Sequence, residues 1–283
     1  MVPNTSDART AANSQTRLQP GPLLNELGEL ACAGYATQPV LAYERAAIAA
    51  PSWRIKEWDY YLVSDDEFAV AFTVSDLGYL SLASVSLMDF TRGTFITKST
   101  MGAFPMGRLR LPEKSSFGVT QFADKKAQIS FEVAGGMRLL SATFEDFAAG
   151  HPLQVEVVLS NEPRDSMVIA TPWAEDPRAF YYNQKIVGMD AIGGFALGGL
   201  RHDFHEGTSF GLLDWGRGVW TYDNIWFWGI AQGMQQGRRF AMNLGYGFGD
   251  TSAASENMVF VDGVAHKLGR VDFGIPVANP SAD

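Results

Sequence analysis

The sequence predicts an all-β fold, and three observations carry that reading. Between residues 54 and 160, runs of about six to eight residues alternate apolar and polar side chains, the period of a half-buried strand. Gly, Asp, Asn or Pro bound these runs and no helical stretch separates them, which is the pattern of an antiparallel sandwich or barrel. Aromatic residues reach 12% beside 29 glycines, a balance that favours strands and tight turns over helix bundles.

The elements follow in order. Residues 1–20 contain no apolar run, so they are no signal peptide and read as a disordered tail. LNELGELACAGYA (24–36) carries a modest helical signal. WDYYLV and EFAVAFTV read as two strands around Ser64–Asp65–Asp66. Leu77–Asp89 is a further strand, and TFITKSTM follows a polar bend at Thr91–Gly93. FPMGRLRLPEKSSF is rich in turn residues. GVTQFAD, KKAQISFEVAG, GMRLLSATFED and PLQVEVVLSN complete a first barrel-like unit. In the last of these Gln154 and Glu156 point one way, Val155 and Val157 the other.

NEPRDS (161–166) and TPWAEDP (171–177) bring prolines and acids together and mark a domain boundary, giving units 21–165 and 166–283. GRRFAMNLGYGF and ENMVFVDGVAHKLG add strands downstream, the latter with a tight hairpin at Asp262–Gly263.

The stretch LDWGRGVWTYDNIWFWGIAQG (213–233) is the densest in rings. As a strand from Val219 to Ile230 it would project Trp220, Tyr222, Asn224, Trp226 and Trp228 from one face. RRFAMNLGYGF would then set Phe240, Met242, Leu244, Tyr246 and Phe248 on one face and Ala241, Asn243, Gly245 and Gly247 on the other. Two readings stand. The rings fill a barrel, or they line a cavity for an apolar small molecule with Asn224 as its polar anchor. Arg217, between Asp214 and Asp223, is either a buried ion pair at the corner or an anion clamp.

Other classes find little support. The net charge of −9, with no basic stripe, argues against nucleic acid and anionic membrane surfaces. The most apolar window, MDAIGGFALGGL, is too short and glycine-rich to be a transmembrane segment. One cysteine, Cys32, forbids an intrachain disulfide and fits a cytoplasmic location. His202, Asp203, His205 and Glu206 lie close in sequence, but the two histidines face opposite ways in a strand, so no metal site is expected. No nucleophile elbow, phosphate loop or dinucleotide fingerprint occurs, and no cofactor is expected. Acid–base chemistry needs a carboxyl group held in apolar surroundings. Asp214 and Glu256 are the candidates for it, ahead of Asp223 and His266. Arg54, Lys56, Glu57 and Asp59, around Trp53 and Trp58, read as a lid or a seam between barrels.

DWGRGVW with its trailing tryptophans, NLG and ENMVFVDGVAHKLG resemble the family known as domain of unknown function 2804; RIKEWDYY (54–61) and DLGY (76–79) match its earlier pattern. The resemblance runs from about residue 20 to the end. It implies two consecutive antiparallel lipocalin-like (calycin) barrels, distantly similar to carotenoid hydratases, tocopherol cyclase-like proteins and fungal Diels–Alderase-like proteins, which act on large apolar substrates. The family pattern continues beyond KLGRV, so the second barrel is expected to be incomplete here, with an open edge suited to self-association.

Three functions stay open at this point. The first is binding of a lipid- or isoprenoid-like small molecule by Trp220, Tyr222, Asn224, Trp226, Trp228, Arg217 and Tyr246. The second is a cofactor-free hydratase, isomerase or cyclase using Asp214 or Glu256. The third is a structural or interaction module with a filled core.

Overall fold

The computed structural model describes residues 15–271, 273 and 274. Its strands are β1 (Gly21–Pro22), β2 (Gly34–Ala36), β3 (Leu41–Ala42), β4 (Lys56–Ser64), β5 (Phe68–Asp76), β6 (Leu80–Asp89), β7 (Thr94–Ala103), β8 (Gly118–Ala123), β9 (Ala127–Ala134) and β10 (Met137–Ala148). There follow β11 (His151–Ser160), β12 (Met167–Pro172), β13 (Phe180–Leu197), β14 (Leu200–Phe204), β15 (Phe210–Val219), β16 (Phe227–Gln235), β17 (Arg238–Tyr246), β18 (Met258–Val261) and β19 (Val264–Lys267). Among the described residues the one helical element is a single 3-10 turn, Arg45–Ala47.

The fold is all-β and calycin-like. One large, strongly curled sheet runs β7-β6-β5-β4-β15-β13-β11-β10-β9-β8, with β12, β2 and β14 attached through β13. It forms a half-barrel whose two ends approach each other. The Thr100 hydroxyl on β7 donates to Asp124 beyond β8 at 2.6 Å, and Thr120 on β8 donates to Asp59 on β4 across the interior. Strands from both sides of residue 165 share this sheet, since β15 lies between β4 and β13.

Alternation divides the central strands into two faces. Tyr61, Val63, Val70, Phe72, Phe131, Leu140, Val157, Ile186 and Leu213 fill the concave side. Trp58, Tyr60, Leu62, Tyr181, Val187 and Leu212 lie on the convex side, beneath a second sheet ordered β16-β17-β18-β19. Ala241, Met258 and Phe260 close the layer from above. A bulge in the β13–β15 register between Val187 and Met189 helps to dock the second sheet. There the Gly188 amide donates to Gln232, and its carbonyl accepts from Arg239 at 2.9 Å.

Local chemistry explains the turns. Asp65 accepts from the amides of Glu67 and Phe68, which closes the β4–β5 hairpin as its sequence predicts. Gln236–Gly237 and Asp262–Gly263 both have positive φ, the two-residue turn that matches strand twist.

Three expectations need correction. Residues 24–36 form no helix: Asn25 accepts from the amides of Leu27 and Glu29, and this turn diverts the chain into β2. The predicted tail falls partly outside the described residues, but residues 15–20 are ordered by contacts. Leu18 is buried, its amide donates to the Tyr35 carbonyl, and Gln15 donates to the Leu268 carbonyl. Finally, Val219–Ile230 is not one strand. β15 ends at Val219, residues 220–226 cross from the large sheet to the small one, and β16 begins at Phe227. Asn224 braces that crossing by donating to the Thr221 carbonyl and accepting from the Trp173 indole at 3.1 Å.

Candidate functional site

Strand alternation puts Tyr181, Asn183 and Lys185 of β13 on the convex face. The register sets Lys185 directly opposite Asp214 of β15, and Asp214 opposite Tyr60 of β4. From the second sheet, Asn243 on β17 and Glu256 just before β18 descend onto the same spot. The result is a buried polar cluster between two sheets.

Lys185 is fully buried, at 0% exposure. Its ammonium donates to Asn183 Oδ1 at 2.7 Å and to Glu256 Oε2 at 2.9 Å, and Asp214 Oδ1 lies 3.8 Å away. Tyr181 OH accepts at 3.4 Å. Asn183 in turn donates to Asp214 Oδ1 at 2.5 Å and to the Trp215 carbonyl at 2.8 Å. Asn243 donates to Glu256 Oε2 at 3.1 Å and accepts from the Trp228 indole at 2.6 Å. The Trp226 indole donates to Glu256 Oε1 at 3.2 Å. One cation therefore serves two buried carboxyl groups.

That imbalance sets the electrostatics. Burial pushes the Asp214 carboxyl above its ordinary value; Lys185 and the hydrogen bonds from Asn183 and Trp58 oppose the rise, and Glu256 adds to it. Burial and the nearby Asp214 push the Tyr60 phenol up to about 12, so it remains a proton donor. A group that keeps its proton beside one that accepts hydrogen bonds is the pairing that acid–base chemistry uses.

Rings enclose the cluster. Trp58 stacks on Tyr181 at 5.7 Å, and Trp226 on Trp228 at 5.8 Å. Phe248 joins Tyr181, Trp173, Trp220 and Trp226 at 4.9–5.4 Å. Lys185 lies 5.5 Å from the ring centres of both Trp226 and Trp228. Five of the seven tryptophans belong to this layer.

Two glycines make the layer possible. A Cβ on Gly216 would stand 2.2 Å from the Trp58 indole, and one on Gly245 would stand 2.3 Å from the Glu256 carboxylate. The glycine in DWGRG thus lets an indole lie flat against β15. The rings pack on one another: the closed crevice among Ile169, Thr171, Tyr181, Phe248 and Glu256 holds about 10 Å³. Space opens at the rim. A cleft of 640 Å³ is lined by Trp173, Glu175, Thr221, Asp223, Asn224, Ile225 and Asp250. Trp173 is shared between that cleft and the ring layer.

The residues singled out in the sequence fall into separate places. Asp214 and Glu256 come together on Lys185. Trp226 and Trp228 join them through their indoles. Trp220 packs in the same layer without touching the carboxyls, while Tyr222 is exposed on the crossing segment. Tyr246 lies on the far face of the second sheet, against Phe227 and Phe273. The expected polar wall is reversed there. Ala241, Asn243 and Gly245 face the large sheet, and Phe240, Met242 and Leu244 face away, because Trp228, Ile230 and Gln232 set that register. Asp223 is exposed at the cleft and His266 is exposed on β19.

Arg217 does not pair with Asp214 or Asp223. It points into the concave interior, where it donates to Asp59 at 2.9 Å and to the carbonyls of Trp58, Gly216 and Pro112 at 2.6–2.9 Å. Three positions along a strand put Arg217 and Asp214 on opposite faces. His202 pairs with Asp65 at 2.6 Å, and among the described residues no three His, Cys, Asp or Glu side chains gather as a metal site.

Lys185, Asn183 and Asn243 were missed. The available signal was alternation in FYYNQKIV, which sets Tyr181, Asn183 and Lys185 on one face of a strand otherwise apolar enough to be buried on both sides.

Fold and site together define a two-sheet all-β protein with a charged polar cluster buried between its layers. The chain belongs to the family described as Domain of unknown function (DUF2804), whose model matches residues 14–283. No curated protein matches it. Among solved structures it is similar to a protein assigned as AttH from Nitrosomonas europaea, at 13% identity and a TM-score of 0.45, covering 80% of this chain and 74% of that one. It is also similar to kievitone hydratase from Nectria haematococca, at 9% identity and a TM-score of 0.40, covering 90% of this chain and 72% of the other. At these values the likeness carries no argument about activity.

Proposed function

We propose that this protein binds an apolar small molecule at the ring layer between its two sheets, entering by the cleft beside Trp173. The observation that supports it is the meeting of three features in one layer: five tryptophans, a buried Lys185 with two carboxyl groups, and a 640 Å³ cleft whose wall is Trp173. Ligand sites combine apolar walls with a few placed polar groups, and this layer has that composition. Residues 220–226 cover the rings, so the ligand displaces this segment on entry. Trp226 and Trp228 then serve as walls and the Lys185 cluster as the polar end.

Intrinsic tryptophan fluorescence, titrated with a total lipid extract, tests this. A saturable change in wild type that is lost in Trp226→Ala supports the reading. Ile225→Glu provides a second arm, since Ile225 is exposed at the cleft and its change leaves the core intact. An unchanged signal in wild type refutes it.

A second reading extends the first: a cofactor-free hydratase, isomerase or cyclase. It is favoured by the raised Asp214 beside Glu256. In a hydration, the Asp214 carboxyl would protonate an alkene carbon, and water would add to the cation and return a proton to the carboxylate. Turnover lost in Asp214→Asn with binding retained would separate enzyme from carrier. The described residues contain no helix long and apolar enough to cross a membrane; a cytoplasmic location belongs to this proposal. So does self-association through β16 or β19, the edges of the small sheet among the described residues, which sedimentation at rising concentration would detect.

A further inference from the structure

Arg54 and Lys56 stand at the start of β4, away from both buried clusters. Lys56 is 5% exposed, yet its ammonium's one hydrogen bond goes to the Arg54 carbonyl at 3.2 Å. No carboxylate of the described residues lies within 4.0 Å of it. Arg54 is no better satisfied: Nη2 reaches the Trp220 carbonyl at 3.4 Å, and the buried Nε has no partner. Acids outnumber bases 31 to 22 in this chain, so two adjacent cations without a counter-charge among the described residues are out of keeping with it.

Rings flank both cations. Lys56 Nζ lies 5.0 Å from the ring centres of Trp220 and Tyr222, and the Arg54 guanidinium 5.6 Å from Tyr222 and 5.9 Å from Trp53. A ring face attracts a cation but brings no net charge, so the pair still repels itself. Burial, with Arg54 beside it, lowers the Lys56 ammonium to about 8. Arg54 is half-buried and Lys56 buried, and the rings of Tyr222 and Trp53 beside them are 58% and 44% exposed, so the approach to the pair runs past flat apolar surfaces. An oxyanion would supply the missing charge, and an aromatic body would lie against those exposed rings.

We propose that Arg54 and Lys56, with the rings of Trp53, Trp220 and Tyr222, bind an aromatic carboxylate. This site does not rest on the apolar-ligand reading, although it shares Trp220 with the ring layer and Tyr222 with the crossing segment. The test is a titration with benzoate, followed by NMR of the Arg54 Nε–H and Trp220 indole N–H signals of the full chain, at constant ionic strength. Saturable shifts of both are expected in wild type, with the Trp220 shift lost in Arg54→Gln and both shifts lost in Lys56→Met. Acetate and inorganic phosphate should bind at least about tenfold more weakly, because neither can stack. Lys56→Met keeps an apolar stem under the rings, and its undisturbed amide spectrum would show that it folds. No saturation in wild type, the same shifts in both variants, or equal binding of acetate or phosphate would overturn the proposal.

Discussion

The two faces of β15 carry opposite electrostatic designs. Arg217 faces the concave interior and Asp214, three residues earlier, faces the second sheet. On the concave side, Arg217 and Arg45 meet Asp59 and Glu57, two cations for two carboxylates. Arg138 meets Glu162 at 2.7 Å and donates to Ser115 and Tyr61. Tyr43 adds a hydrogen bond to Glu57 at 2.8 Å. Each of these carboxylates has a cation; Asp76, buried opposite Glu57, accepts from the Gly78 and Gly107 amides instead, and carbonyl oxygens take most of the remaining donors. On the convex side one ammonium serves two carboxyls, and burial, with Glu256 adding to it, raises Asp214. The comparison teaches that burial and charge alone do not mark a functional site. A cation for each carboxylate fixes geometry, whereas burying two carboxyls on one ammonium shifts one of them toward its protonated form.

The largest expected effect breaks the balanced side. Arg217→Met orphans Asp59, while Glu57 keeps Arg45 and Tyr43, and should cost about 3–5 kcal/mol in denaturant unfolding at neutral pH. Gly216→Ala attacks the join between the two designs, since its methyl meets the Trp58 indole. About 1–3 kcal/mol should be lost, with a change in near-ultraviolet circular dichroism from the tryptophans. A loss below about 0.5 kcal/mol would mean that Trp58 does not lie where it is placed.

Lys185→Met should cost less than Arg217→Met, and its deficit should shrink as pH falls, because the abandoned Asp214, which burial already raises, can take up a proton. Equal deficits at all pH values would erase the distinction between the faces. Asp214→Asn sharpens the point. The native carboxyl titrates above its ordinary 3.8, so the folded state takes up protons more readily than the unfolded one. Its stabilising contribution is full below 3.8 and is lost as pH rises through the native value. Wild type should therefore lose stability relative to Asp214→Asn over that window. The smallest effect is expected at Asn224→Ala, about 1 kcal/mol from its loop-bracing hydrogen bonds.

Much of this architecture was legible in the residues. Period-2 runs with turn residues between them gave the strands, and Ser64–Asp65–Asp66 and Asp262–Gly263 gave two hairpins, because each depends on neighbours in sequence. Asp214 and Glu256 stood out as carboxyls set among rings. Their meeting was not legible: Lys185 lies 71 residues from Glu256, and only sheet stacking joins them. Alternation also misled where it was extended through residues 220–226, since a crossing between sheets keeps no strand period. The partners of Arg217 were hidden for the same reason, as Asp59 lies 158 residues away and is brought near by the β4–β15 register.

The measurement that bears most directly on the unbalanced cluster is the pH titration of the Asp214 carboxyl carbon by NMR, in wild type and in Lys185→Met. The midpoint should lie above 3.8 in wild type and rise further when the ammonium is removed. A wild-type midpoint at or below 3.8, or one that Lys185→Met leaves unmoved, would contradict a proton held between the sheets.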